Sequence, residues 1–265
     1  ADGAGSRPAA ADPPRPAGAP RLDDVVASLP ARAAALKSLL RRLMWSAEHR
    51  WFHHLDENFA PGLCYNVQMF KFLDSEVLDP DQRAGLLSHL NETEFLSRWG
   101  LHSMSKLDPA YDQVDIDNGG GGNYTAFTPR IIELLYRCGE AALAEDLLQR
   151  ILWWGERLPY WGDSIVANQM DYRQDTPLQN TIGALAGAQM VIFGMFGVGV
   201  SAEGVITVQP QPPGFAPELK LTGLRLRGHV LDIAVQGGSF TVTVDGVTTR
   251  SPLGWWWSRP VRPTA

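Results

Sequence analysis

The sequence is poor in cysteine and has no excess of positive charge. Its two cysteines, Cys64 and Cys138, form no CxxC pair, and no His/Cys cluster has the spacing of a zinc site. The formal net charge is -6, whereas a nucleic-acid surface would show clustered Lys and Arg. We therefore expect free thiols, with a disulfide as the alternative, and no metal, no cofactor and no nucleic-acid partner.

Long uninterrupted apolar runs are also missing. Residues 1–20 lack the apolar core of a signal peptide, and no stretch reaches transmembrane length without interruption. Residues 182–200 are apolar, but they carry Gln189 and several glycines, a composition that favours a buried helix. The sequence predicts a soluble protein without a membrane partner, and it leaves the compartment open.

Tryptophan, in contrast, is abundant. The chain has nine, and Trp51, Trp99 and Trp161 lie beside polar residues rather than in apolar runs. Sugars stack their C–H faces on aromatic rings while carboxylates and amides bind the hydroxyls, so this composition fits a carbohydrate site. Core packing is the alternative explanation for each ring.

Residues 108–124 read D-P-A-Y-D-Q-V-D-I-D-N-G-G-G-G-N-Y and lie between helix-forming stretches. Four consecutive glycines are costly to order, so the fold must need unusual backbone angles there or a close approach of the backbone. We predict that this segment forms the floor of a sugar-binding pocket. The alternative is a flexible acidic connection between helices.

Apolar spacing predicts a series of helices. They cover residues 22–44 with a break at Pro30, residues 65–73, residues 81–90 behind an Asp79 cap, a short helix within 94–99, residues 127–138, residues 141–154 and the apolar stretch 182–200. Only Gly139 and Glu140 separate the fifth from the sixth helix, so these two should form an antiparallel hairpin.

After residue 200 the pattern becomes alternating runs separated by Gly and Pro, which predicts four or five antiparallel strands. Asp245-Gly246 has the signature of a tight hairpin. We therefore predict a disordered linker over residues 1–20, a mainly α region of helical hairpins over 21–200, and an antiparallel β-module with a Trp-rich tail over 201–265.

Three stretches are similar to the six-hairpin glycosidases, the superfamily with an (α/α)6 barrel that contains trehalase, glucoamylase, processing α-glucosidases and α-L-rhamnosidases. They are L-M-W-S-A-E-H-R-W-F (43–52), E-F-L-S-R-W-G-L-H-S-M-S-K-L-D-P-A-Y (94–111) and M-D-Y-R-Q-D-T-P-L-Q-N-T-I-G-A-L-A-G-A-Q-M-V-I-F-G-M-F-G (170–197). The resemblance implies an (α/α) toroid followed by a β-module and a glycosidase acting on an oligosaccharide or glycoside.

The chain departs from that family in two respects. D-I-D-N-G-G-G-G-N-Y stands where trehalase-like members have a W-R-G-P-I-W-like stretch, which places the chain in a divergent branch. A full barrel also needs twelve helices, about twice the number of full-length helices predicted here. The resemblance therefore implies the C-terminal half of a barrel, with an N-terminal half-barrel or a second protomer as its partner.

The resemblance also implies site residues. A general base before the last barrel helix matches Asp171, favoured by Thr176-Pro177, or Asp175 as second choice. Within this chain the best candidates for the general acid, or for binding sugar hydroxyls, are Asp115 and Asp117. The alternative is that these two carboxylates coordinate calcium. Other predicted sugar contacts are Asn118, Tyr124, Trp161, Asp163, Asn168, Tyr172 and Gln179.

Family members mostly invert, which requires one protonated and one ionised carboxyl about 6.5–9.5 Å apart. Three alternatives stay open. Asp171 and Asp175 could pair with Arg173 or cap the next helix. The chain could be a non-catalytic carbohydrate-binding or scaffold protein, or a helical interaction module that uses Trp255–Trp257.

Overall fold

The computed structural model describes residues 21–116, 119–157, 164–173 and 181–260. The chain divides into two compact units, the first ending at Leu43 and the second beginning at Met44. The second unit contains both hydrophobic cores and all of the residues discussed as a site.

Helices of three kinds occur in the described residues. The α-helices are α1 Leu22–Leu39, α2 Pro80–Leu87, α3 Phe127–Arg137, α4 Ala141–Ile151, α5 Trp154–Arg157 and α6 Thr181–Gln189. The turns Leu40–Met44 and Met190–Met195 are π-helical, and Val67–Phe72 is a 3-10 helix. None of these described helices has the length and apolar character that a membrane span needs.

Strands are short in the first half of the chain and longer in the second. In chain order they are β1 Trp45–Ser46, β2 Trp51–Phe52, β3 His54–Leu55, β4 Pro61–Gly62, β5 Leu96–Ser97, β6 Gly100–Leu101, β7 Gly122–Tyr124, β8 Ser164–Val166, β9 Asp171–Tyr172, β10 Gly199–Val200, β11 Val205–Val208, β12 Leu219–Leu226, β13 His229–Gln236, β14 Ser239–Val244, β15 Val247–Pro252 and β16 Trp257–Pro260. Strands are nearly as well represented as helices, so a mainly α class is not confirmed.

The described part of the first unit consists of α1 and the start of the π-helical turn after it, and the predicted break at Pro30 is wrong. The helix continues through Pro30 to Leu39. Proline removes one intrahelical hydrogen bond at that position, and the alanines and leucines that follow it are strong helix formers. None of the residues of α1 is buried, and its leucines are exposed.

The helical hairpin predicted after the glycine loop is confirmed. Helix α3 buries Ile131, Leu134 and Leu135 at helical spacing and packs on α4. Gly139 adopts φ +83 at the turn, a left-handed conformation that favours glycine and reverses the chain. Helix α6 and the π-helical turn after it also pack on α3.

An aromatic cluster forms the centre of the larger core. The Trp51 ring is fully buried, stacked on Phe95 at 5.7 Å and edge-on to Phe70 at 5.6 Å. Its Nε1 donates a hydrogen bond of 2.9 Å to the Cys64 carbonyl. Trp51 is therefore a core residue and does not contribute to a sugar site.

Two of the predicted short helices take other forms. The segment predicted at 65–73 is the 3-10 helix Val67–Phe72, capped by the Asn66 side chain. The segment predicted within 94–99 is part of the hairpin β5–β6. The reason is local: the Asn91 side chain accepts the Thr93 and Glu94 backbone N–H groups in a turn, and Gly100 adopts φ +152.

The predicted cap at Asp79 is confirmed. The Asp79 side chain accepts the Gln82 backbone N–H at 2.8 Å, and the Gln82 side chain accepts the Asp79 backbone N–H at 3.1 Å. Pro80 occupies the first turn of α2, where its missing N–H removes no helical hydrogen bond.

The β-module consists of two antiparallel sheets. Strands β12, β13, β14 and β15 form a meander, and β11 lies between β10 and β16 in the second sheet. Asp245 and Gly246 link β14 to β15 with φ +50 and +84, the two positive angles that a tight hairpin turn requires. The alternating residues of β13 and β14 form a second core.

The Trp-rich tail divides between the core and the surface. Trp257 begins β16, which pairs with β11, and the Trp257 side chain is only 7% exposed. Trp255 and Trp256 are 67% and 68% exposed. The tail therefore completes a sheet through Trp257 and leaves two indole rings accessible.

Both cysteines are free, as the sequence predicts, and both are half-buried. Burial raises the pKa of the Cys64 thiol, and Asp108 adds to that rise. The Cys138 thiol donates to the Leu73 carbonyl at 3.1 Å, and burial raises its pKa as well.

Candidate functional site

Gly119, Gly120, Gly121 and Gly122 form a buried glycine segment. A Cβ atom at Gly119 would lie 2.6 Å from Asp115 Cβ, and one at Gly120 would lie 2.7 Å from Met104 Cβ. At Gly121 it would overlap the Gln113 carbonyl. The predicted close backbone approach is therefore present, between the segment and its own chain, and a flexible connection is excluded for these four residues.

The main chain of the glycine segment is extensively hydrogen-bonded. The Gly121 N–H donates to the Asp115 carbonyl at 2.9 Å, and the Gly121 carbonyl accepts the Ala167 N–H at 3.1 Å. The Gly122 carbonyl accepts the Ser103 N–H at 2.8 Å. Gly121 thus links the acidic loop before it to the chain that leads towards Asp171.

We expect Gly121→Ala to lower the free energy of unfolding by about 3 kcal/mol, because the methyl group must displace the Gln113 carbonyl. Urea unfolding measures the change. Gly155→Ala is the matched control, since nothing lies within 4 Å of its Cβ position, and it should leave stability unchanged or raise it slightly. Equal stability of the two variants would contradict the packing described.

Strands β7, β8 and β9 bring two parts of the predicted site into one sheet. Gly122 pairs with Val166, which pairs with Asp171, and Tyr124 pairs with Ser164. Because side chains alternate along strands, Asp171 and Tyr124 lie on the same sheet face. The main chains of the two outer strands are about 9.5 Å apart, two strand spacings.

Tyr172 lies on the opposite face of this sheet. It pairs with Ile165, a fully buried residue, and packs against the larger core. The structure therefore does not bring Tyr172 to the face that carries Asp171 and Tyr124, because adjacent residues of a strand point to opposite sides.

The remaining predicted residues have different surroundings. Asp115 is exposed, and its main chain is tied to Gly121. Asn168 is exposed in the turn between β8 and β9. Six predicted residues lie outside the described residues: Asp117, Asn118, Trp161, Asp163, Asp175 and Gln179. Among the described residues no group of three or more His, Cys, Asp or Glu side chains could hold a metal ion.

A cavity of about 710 Å³ lies beside the glycine segment. Three elements frame it: Arg98 and Trp99 at the tip of β5–β6, Asn168 at the tip of β8–β9, and helix α4. The Ser97 hydroxyl donates to the Ala167 carbonyl, which joins the two hairpin tips. Arg150 of α4 donates to the Ser97 carbonyl at 2.7 Å, which joins the helix to the first tip.

His102 lines this cavity and is 2% exposed. Its Nδ1 lies 3.0 Å from the Gly120 carbonyl, an arrangement that requires a proton on Nδ1. Burial lowers the His102 pKa, the hydrogen bond to Gly120 opposes this shift, and nearby Lys106 lowers the pKa further. The imidazole is therefore neutral near pH 7, with Nε2 as a hydrogen-bond acceptor.

Sequence analysis missed His102 and Gln113 as contributors to the site. Gln113 donates from Nε2 to the Gly121 carbonyl at 3.2 Å, and it lines the same cavity as His102. No sequence pattern distinguishes an isolated His or Gln in a polar loop. Their proximity to the glycine segment depends on the loop conformation.

A second cavity, of about 730 Å³, lies between α3 and the strands β10 and β11. It contains the buried Glu133 carboxylate, which pairs with Arg130 and, at 3.5 Å, with Arg137. Tyr136 also lines it, and burial raises the Tyr136 pKa to about 12. Of the residues predicted for catalysis or sugar binding, those that the structure describes do not line this cavity.

Comparison with solved structures identifies the fold. The structure matches the neutral trehalase of Saccharomyces cerevisiae with a TM-score of 0.51 and 12% identity. The match covers 63% of this chain and 30% of the trehalase chain. A GH63 mannosylglycerate hydrolase from Thermus thermophilus matches over 63% of this chain and 38% of the other, with a TM-score of 0.48 and 16% identity.

At this identity the trehalase match shows the fold alone, and it confirms the resemblance to the six-hairpin glycosidases at that level. The chain spans about a third of the length of these two matched chains. No family model matches the sequence, and no curated protein matches it.

Proposed function

We propose that the chain acts in glycoside hydrolysis, as a glycosidase or as part of one, by a two-carboxylate, inverting mechanism. The observation that carries the proposal is the β7–β8–β9 sheet, in which Asp171 and Tyr124 share a face bordered by the glycine segment. The trehalase-like fold supports the class of reaction.

In the proposed mechanism Asp171 is the general base. Its carboxylate takes a proton from a water molecule, the water oxygen attacks the anomeric carbon, and a second, protonated carboxyl group donates its proton to the leaving oxygen. In an inverting enzyme the two carboxyl groups stand about 6.5–9.5 Å apart, which leaves room for this water molecule. Asp175 is the second choice for the base.

For the acid, or for hydroxyl binding, we propose Asp115 and Asp117. Asp115 is suited to this because its carbonyl bonds to Gly121, whose own carbonyl bonds to Ala167 near the Asp171 strand. Tyr124 would provide an aromatic surface on the same sheet face. Asn118, Trp161, Asp163, Asn168 and Gln179 are proposed as further sugar contacts, whereas Tyr172 lies on the opposite face of the sheet.

We also propose that a partial (α/α) toroid is completed by an N-terminal half-barrel or a second protomer. This chain covers only 30% of the trehalase chain whose fold it shares, which supports a partner of this kind. The α3–α4 hairpin and the packing of α6 on α3 are the toroid-like elements in this chain.

The test is incubation with a panel of α- and β-linked disaccharides, trehalose included, with products followed by NMR. We expect release of a monosaccharide whose anomeric configuration is inverted relative to the substrate. Release with retained configuration would overturn the inverting mechanism, and no release from any glycoside would overturn catalysis by this chain.

The second candidate is a non-catalytic carbohydrate-binding protein. Among the described residues, Asp171 is the one carboxylate that the strand pairing places on this sheet face. Glycoside hydrolysis needs two carboxyl groups, so this observation favours a protein that binds sugar without cleaving it. Calorimetric titration with the same disaccharides separates the two functions, since binding without product release supports the binding protein.

A further inference from the structure

We propose that the cavity between the two hairpin tips and α4, named here the hairpin-tip cavity, binds an acidic saccharide through its carboxylate. The proposal rests on the proposed function for the class of ligand, a saccharide, and adds a charged group and a separate place for it. Arg98, Lys106, His102, Asn168 and Trp99 are the residues that would contact it.

The hairpin-tip cavity is a built structure. The Ser97 hydroxyl and the Arg150 guanidinium tie its three walls together. Arg150 is further fixed by Asp146 and Glu92, each at 2.9 Å. Because these hydrogen bonds are made within the protein, little ordering is needed on binding, which favours affinity.

Charge in the cavity favours an anion. The carboxylates of Asp146 and Glu92 both pair with Arg150. In the part of the chain that the structure describes, neither Arg98 nor Lys106 forms an ion pair with a carboxylate, and Lys106 donates instead to the Glu92 backbone carbonyl. Two cations therefore remain for a ligand carboxylate, although the chain has a net charge of -6.

Other groups favour a saccharide over a simple anion. His102 is 2% exposed, and its Nδ1 is bonded to Gly120. Its Nε2 has no partner among the described residues, so this nitrogen can accept a hydrogen bond from a sugar hydroxyl. Asn168 offers an exposed amide in the opposite wall. The Arg98 guanidinium lies 4.7 Å from the centroid of the Trp99 ring. The ligand carboxylate would bind Arg98, and the adjacent sugar ring would contact Trp99.

The hairpin-tip cavity is separate from the proposed catalytic face. Neither Asp171, Asp115 nor Tyr124 lines it. The glycine segment, bonded to His102 and Gln113, and Asn168, which is also a proposed sugar contact, form the common border. An acidic residue of a longer saccharide bound here would lie near the Asp171 strand without contacting its carboxylate.

Isothermal titration with cellobiouronic acid and with cellobiose, which differ in one carboxylate, tests the proposal. We expect cellobiouronic acid to bind at least about tenfold more tightly than cellobiose, a difference that one hydrogen bond between charged groups allows. The affinity for the acid should fall as salt is added. Equal affinities, or no binding of the acid, would overturn the proposal.

Four variants sharpen the experiment. Arg98→Gln and Lys106→Gln should each weaken binding of the acid about tenfold and reduce its advantage over cellobiose. Arg225→Gln removes the same charge from an exposed position of β12 that lines neither cavity, and it should have no effect. His102→Asn can keep the donor to Gly120 but lacks Nε2, so it should weaken both ligands.

Asp171→Asn distinguishes this proposal from the proposed function. The variant should bind cellobiouronic acid as the wild type does, whether or not the protein hydrolyses any glycoside. Loss of acid binding in Asp171→Asn would show that the two sites are one and would overturn the separate site. Unchanged binding by Arg98→Gln would overturn the role assigned to the cation.

Discussion

Asp171→Asn is expected to lower kcat for glycoside hydrolysis by about 10²–10⁴-fold, the contribution typical of a general base. Asparagine keeps the size and the polar oxygen of aspartate but cannot take a proton from water. Because substrate contacts persist, KM should change little, and the loss should fall on kcat. Initial rates of product release over a range of substrate concentrations measure both constants.

Three controls make the Asp171 result interpretable. Asp81→Asn, an exposed acid in the first turn of α2, should retain full activity. Asp175→Asn tests the second choice for the base. A urea unfolding curve of Asp171→Asn close to that of the wild type shows that the loss is chemical, since Asp171 also accepts the Tyr172 N–H at 2.8 Å. Retained activity would remove Asp171 as the base.

Trp51→Ala is expected to lower the free energy of unfolding by about 4 kcal/mol. The fully buried ring contacts Phe70, Phe95 and Tyr65, and its truncation leaves a cavity in the centre of the larger core. It also leaves the Cys64 carbonyl without its indole donor. Equilibrium unfolding in urea measures the effect.

Trp255→Ala is the matched control, because the same deletion at a 67% exposed ring should change stability by less than about 0.5 kcal/mol. Trp51→Phe should lie between the two, since it keeps ring packing and loses the hydrogen bond to Cys64. A Trp51→Ala variant within roughly 1 kcal/mol of the wild type, a difference comparable to the error of two unfolding curves, would contradict the core assignment.

Elements with strong local signals could be predicted from the sequence. The α3–α4 hairpin follows from helical spacing and a glycine that tolerates φ +83, and the β14–β15 hairpin follows from Asp245-Gly246. The capping box at Asp79 is likewise local, since it joins residues three positions apart. Each signal depends on residues that are close in sequence.

Predictions failed where local preferences compete. Residues 94–99 contain helix formers, yet Asn91 offers its side chain to the backbone and Gly100 turns the chain, so a hairpin forms. Pro30 is tolerated within α1. In both places the conformation depends on the surrounding residues, which the preference of one residue type does not include.

The candidate site shows the same division. Asp171 and Tyr124 could be named from their residue types and from the family resemblance. Their common sheet face depends on the register of β7, β8 and β9, and the β7–β8 pairing joins residues 40 to 44 positions apart. The contribution of His102 could not be predicted, because a single imidazole in a loop carries no periodic signal.

The sequence by itself determined that the backbone of residues 119–122 is closely approached, since only glycine tolerates such packing, and that helices precede a β-module. Tertiary structure alone decided that Trp51 is core and Trp255 is exposed, and that the glycine segment contacts His102 and shares a three-stranded sheet with Asp171. Periodicity and turn chemistry act over a few residues, whereas these contacts join segments that meet only after the chain has folded.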